Sequence, residues 1–170
     1  MDVHWMIDRL ECIPDSLATL LADLSLDDAR WRPSESDWSI LEIICHLTDE
    51  DLDDFGTRLR MTLEAPDADW PEIDPNAAAK ERGYRERDLQ TMLREFKAVR
   101  RTETNWLRTV AADDFHIEKT QPLFGSIRAG DILAAWCAHD DLHLRQIARR
   151  LHEMTAIKAG LFKIDYAGDW

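Results

Sequence analysis

Two stretches decide the fold: WSILEIICHLTDED at residues 38–51 and AAWCAHDDLHLRQI at residues 134–147. In the second, Ile132, Trp136, His139, His143, Gln146 and Ile147 recur at steps of three and four, which places them on one face of a helix. That face begins and ends apolar, so it points into a core, yet its middle carries two imidazoles and an amide. In the first, Ile40, Leu41, Ile43, Ile44, Cys45 and Leu47 are apolar nearly all round, which predicts a helix central to its domain. A polar stripe of Glu42, His46, Asp49, Glu50 and Asp53 interrupts it.

Working outward, four amphipathic segments are each long enough for several helical turns. The first runs from about Val3 to Leu24, with Pro14 expected to kink or split it. The polar stretch SLDDARWRPSESDW then reads as a loop. The second helix is expected from Ser39 to about Leu63, capped by Ser36 or Asp37. A surface loop, APDADWPEIDPNA, follows. The third helix covers roughly Arg87 to Val110, with an apolar stripe through Leu89, Leu93, Phe96 and Leu107 and with Arg and Glu on its other face. His116, Ile117, Leu123 and Phe124 suggest a short extended segment turning near Gly125. The fourth helix runs from about Ala129 to Met154, and the aromatic-ended tail has no clear period. Four long helices around one core make an all-α four-helix bundle, with connections long enough for crossovers.

The 170 residues fit one domain spanning the chain, and the low counts of Gly and Pro, six each, favour long regular elements. A net charge of −13 repels phosphate backbones and anionic lipid, so no nucleic-acid or membrane partner is expected. No apolar run is long enough to span a bilayer. The N-terminal MDVHWMIDRLECIPDS lacks the apolar centre of a secretory signal, so a cytoplasmic location is expected. Three cysteines, Cys12, Cys45 and Cys137, form no C-x-x-C pair; the second and third read as small buried hydrophobes.

His139 and His143 lie one helical turn apart, and only folding can bring His46 to them. Buried imidazoles need partners for every lone pair and proton. Two readings meet that need: a satisfied cluster of core histidines, or a divalent cation held by three neutral imidazoles. In the second, three protein ligands leave a coordination position open, as catalytic rather than structural sites do. His4, His116 and His152 lie away from this pattern.

The run W-S-x-x-E-x-x-x-H-L-x-D at Trp38–Asp49, paired with H-D-x-x-H-x-x-Q-I at His139–Ile147, resembles the DinB/YfiT superfamily of bacterial four-helix metalloproteins. The resemblance covers nearly the whole chain. It implies one divalent ion per chain, zinc or nickel foremost and iron or manganese as alternatives, ligated by His46, His139 and His143. It also implies a homodimer. Some relatives use a low-molecular-weight thiol as transferases or isomerases, and others are described as metal-dependent hydrolases. A small-molecule substrate is therefore expected.

Around such a site, Asp49 and Gln146 are the candidate catalytic groups. Asp49 follows His46 by three residues and could accept a hydrogen bond from an imidazole or from ligated water; the alternative is a solvated acidic face. Glu50 is the second choice for that role. Gln146 shares the His139–His143 face and could bond to a group at the open position, or simply tie two helices together. Glu42 reads more simply as a helix-start charge. Arg58, Arg60 and Arg145 could meet an anionic thiol. Trp31, Trp38, Trp70, Trp106, Trp136 and Trp170 could line a pocket, though packing is the commoner use, and Trp136 lies nearest to His139. Three functions fit: a metal-dependent enzyme, a metal-binding protein without catalysis, and a structural homodimer.

Overall fold

The computed structural model describes residues 1–122 and 125–168. Leu123, Phe124 and Trp170, named above, lie outside the described residues. Four helical rods dominate. Helix α1 spans Val3–Leu20, and α2 (Leu26–Arg30) is a short helix inside the stretch expected to be a loop. The second rod is built from α3 (Ile40–Asp49), a π-helical segment (Glu50–Phe55) and α4 (Gly56–Glu64). The supposed surface loop carries α5 (Pro75–Glu81). Helix α6 spans Leu89–Leu107 and α7 spans Ala129–Ala159. An antiparallel hairpin of β1 (Glu118–Gln121) and β2 (Gly125–Arg128) connects the last two. The result is a mostly helical four-helix bundle.

Local chemistry sets the helix ends. Asp2 and Asp88 cap α1 and α6 by accepting from Trp5 N and Thr91 N at 3.0 and 2.8 Å. Neither Ser36 nor Asp37 caps α3. Ser39 does, and Glu42 completes a capping box by accepting from Ser39 N at 2.9 Å and Ser39 Oγ at 2.7 Å. In the two short helices, Ser25 and Asp74 accept the first-turn amides, and this outweighs a polar, loop-like composition.

Pro14 does not split α1. A proline inside a helix leaves the carbonyl four residues earlier without its usual donor. Here that carbonyl belongs to Leu10, and it accepts from Arg100 Nη1 at 3.0 Å.

Apolar side chains divide into two clusters. One holds Ile13, Leu17, Ile40, Ile44, Phe96 and Ile147; the other holds Ile7, Leu10, Leu59, Leu107, Leu133 and Trp136. Along every rod the boundary between them falls at one level, and a polar layer occupies it. Arg100 donates from Nε and Nη2 to both oxygens of Asp51 at 2.7 and 2.8 Å. It also donates to Asp140 at 2.6 and 3.0 Å. Trp136 Nε1 donates to Asp51 Oδ1 at 2.8 Å, so this tryptophan is core rather than pocket wall. Burial pushes the Asp51 carboxyl up to about 6, against the pull of Arg100. Every oxygen of Asp51 faces a donor, the arrangement that suits a carboxylate.

The π segment places Asp51 in that layer. Its wider turn inserts one residue into the rod, and such turns recur at functional sites. Gly56 follows it because nothing larger fits: a Cβ there would lie 2.2 Å from Asp51 O and 2.8 Å from Glu103 Oε2. Among the described residues, no helix is long and apolar enough to cross a membrane.

Candidate metal centre

His46 comes from α3, and His139 and His143 from successive turns of α7. Their ligating nitrogens cluster, all lying within 4.8 Å of one another. His46 Nε2 lies 3.3 Å from His139 Nε2, and His143 Nε2 lies 3.1 Å from the same atom. Nitrogens about 2.05 Å from one tetrahedral ion stand about 3.3 Å apart, so the spacing suits a shared cation.

The outer nitrogens fix which way the lone pairs point. His46 Nδ1 faces Glu50 Oε1 at 3.4 Å, and His143 Nδ1 faces Gln146 Oε1 at 2.8 Å. The amide oxygen accepts, so the His143 ring carries its proton on Nδ1 and turns its Nε2 lone pair inward; the longer His46–Glu50 contact favours the same tautomer at His46. His139 could donate to only one of these two lone pairs. Its own Nδ1 is buried and has no hydrogen-bond partner among the described residues. A cation at the meeting point serves all three Nε2 atoms; a purely hydrogen-bonded cluster leaves at least one unserved.

Burial also keeps the rings neutral, the state that ligates. It lowers His46 to about 3, with help from the other two imidazoles, and His139 to about 4. His143 is lowered as well, with Gln146 opposing. Trp38 stands edge-on to His46 at 4.7 Å, and Phe55 tilts against His139 at 5.1 Å. These rings are part of the dry wall.

Two cavities of about 430 Å³ each adjoin the triad. All three histidines open into one, and His46 and Glu50 into both. Glu50 is pushed up to about 8 by burial and by Asp54, whose own carboxyl is also raised by burial. Asp49 lines the second cavity but touches no imidazole. Its carboxylate accepts from the Tyr84 hydroxyl and from Arg82 Nη1, the latter at 2.7 Å. Gln146 is turned to the outer nitrogen of His143, not to an open coordination position. Glu42 serves the α3 cap. Cys45 and Cys137 are buried, with Sγ donating to Tyr84 O and Met6 O, away from the triad.

Three functional neighbours escaped the sequence reading. Tyr84 and Arg82 sit beyond a loop with no period to mark them. Arg100 sits four residues after Phe96 and seven before Leu107, so the apolar stripe of α6 did point to its burial.

The model of the DinB superfamily matches residues 9–147, most of the chain. The chain belongs to the DinB superfamily. Among solved structures, this DinB-superfamily chain is similar to YfiT from Bacillus subtilis, described as "a probable metal-dependent hydrolase with an unusual four-helix bundle topology". The two share 18% identity over 90% of this chain and 87% of YfiT, with a TM-score of 0.80. That likeness is one of fold. No curated protein matches the chain.

Proposed function

We propose that this chain is a metal-dependent hydrolase of a small molecule, holding one divalent ion, zinc or nickel, on His46, His139 and His143. The observation that carries this reading is the clustering of three imidazole nitrogens from two rods, with the His143 tautomer fixed by the Gln146 acceptor at Nδ1. Imidazole sets favour zinc and nickel over the harder magnesium and calcium. Such an ion supplies Lewis acidity to a ligated carbonyl or water. Glu50 lines the same cavity as the three histidines and supplies a carboxyl group suited to taking and returning a proton beside the ion. Gln146 holds His143 in its ligating tautomer. Asp49 acts one step back, fixing Tyr84 and Arg82 on the cavity wall. The published description of YfiT supports hydrolysis as the reaction class.

A transferase using an anionic low-molecular-weight thiol has less support. It needs unpaired cations near the triad, but Arg58 is paired with Asp54 and Arg60 with Glu103. Arg145, in a groove beside His143, is the exception. We further infer a homodimer, supported by the exposed apolar side chains of Ile157, Leu161 and Phe162; sedimentation at micromolar protein checks it.

The deciding experiment compares turnover of ester, amide and lactone panels with turnover of thiol acceptors. Hydrolysis that disappears in His143→Ala, with the helical circular-dichroism signal retained, assigns the chemistry to this site. Full activity in that variant rules the site out.

A further inference from the structure

The two cavities beside the triad have predominantly acidic walls. Asp49, Glu50, Asp53 and Asp54 line them from the second rod. Glu72, Asp74 and Glu81 line one of them, the cavity that reaches the triad at His46, from the segment that includes α5. Among the described residues, the cations on these walls are two, and each already pairs with carboxyl groups of the wall. Arg82 spans Asp49 and Asp53 at 2.7 and 2.6 Å. Arg58 pairs with Asp54 at 3.0 Å, donates to Pro71 O at 3.3 Å, and lies over Trp70. Among the described residues, no hydrogen bond or ion pair engages the side chains of Glu72 and Glu81. The apolar part of the wall comes from Trp38, Ile73 and Pro75.

We propose that the substrate of this metal centre is a small cationic molecule, an alkylammonium compound whose positive end sits among the carboxylates while its reacting end reaches the triad. The proposal rests on the metal reading above and specifies the chemical class that the site takes. A cleft with acidic, low-dielectric walls concentrates cations and excludes anions. A cavity of about 430 Å³ limits the guest to the size of a small metabolite. Trp38, Ile73 and Pro75 suit its hydrocarbon part. An anionic guest would face unpaired Glu72 and Glu81, while both guanidiniums already hold carboxylates of the wall.

The test uses the full chain loaded with Co²⁺ and two thiols of equal chain length, cysteamine and 3-mercaptopropionate. Thiolate-to-cobalt absorption reads their binding. The Glu72→Gln/Glu81→Gln double variant is compared with the parent chain. Both side chains are exposed and unpartnered, so the fold is unaffected. The intrinsic difference between the two thiols is the same in both proteins, so the change in their affinity ratio isolates the wall.

The proposal predicts that the double substitution shifts this ratio against cysteamine by about fivefold or more in 20 mM salt, and that 0.5 M NaCl removes most of the shift. An unchanged ratio overturns it, as does a shift in favour of cysteamine. Cobalt bound at one per chain with neither thiol absorbing also overturns it, while leaving the metal site standing. Failure to take up cobalt at all overturns the metal reading itself.

Discussion

Arg100 donates to Leu10 O at 3.0 Å, the carbonyl that Pro14 releases from the helical ladder of α1. The same guanidinium holds Asp51 of the π segment and Asp140 of α7, so one buried side chain touches all four rods at the level of the histidines. Asp140 directly follows His139. The polar layer thus fixes the register of the two rods that deliver imidazoles.

Removing that cation leaves two carboxylates uncompensated in the core. Arg100→Met is expected to cost about 3–5 kcal/mol, the usual penalty for breaking one side of a buried ion pair. Urea unfolding of the two proteins measures it. A loss below about 1 kcal/mol would show that the layer does not hold the rods together.

Gly56 gives a prediction whose sign is unusual. In an ordinary helix interior, Gly→Ala stabilises by about 1 kcal/mol. Here the added methyl would meet Asp51 O at 2.2 Å, so Gly56→Ala should lower the melting temperature. A higher melting temperature would mean that the π segment relaxes freely to α geometry.

Metal-free protein should weaken in mild acid. His46 and His139 titrate near 3 and 4 when folded, against an ordinary 6.5. Their folded values are depressed, so the unfolded chain takes up protons first. The histidines' share of stability is therefore full above about 6.5 and falls as the pH drops toward 4, by up to about 1.4 kcal/mol per pH unit each, while the raised Glu50 carboxyl contributes with the opposite sign below about 8. Denaturant titrations from pH 7.5 to 5 check this slope. The doubly substituted His46→Ala/His139→Ala chain should show a shallower one.

Thiol labelling separates the three cysteines. Burial pushes Cys45 and Cys137 up to about 12, while Cys12 is exposed. Iodoacetamide at pH 8 should modify Cys12 in the folded chain, and the other two only on unfolding. Mass spectrometry of tryptic peptides reads the outcome; prompt labelling of Cys45 would contradict its place in the core.

Much of this was legible in the sequence. The four rods followed from apolar spacing, and the His139–His143 face could be read from its apolar ends. Convergence with His46 was legible only as a requirement that buried imidazoles find partners. Other features leave no periodic trace. The π segment EDLDDF reads as a solvated acidic run, yet Asp51 within it is fully buried, because one inserted residue turns it toward Arg100. Helices α2 and α5 depend on single capping side chains that outweigh polar composition. Glu50, rather than Asp49, meets the His46 imidazole: it lies four residues on along the same rod, while Asp49 turns to Tyr84 and Arg82.

The central claim is that three imidazoles share one ion. X-ray absorption at the zinc edge of the purified, zinc-loaded chain tests it most directly. The account predicts one zinc per chain with three imidazole nitrogens at about 2.0–2.1 Å and one or two further light-atom neighbours. A sulfur shell at about 2.3 Å, or fewer than three imidazoles, would contradict it.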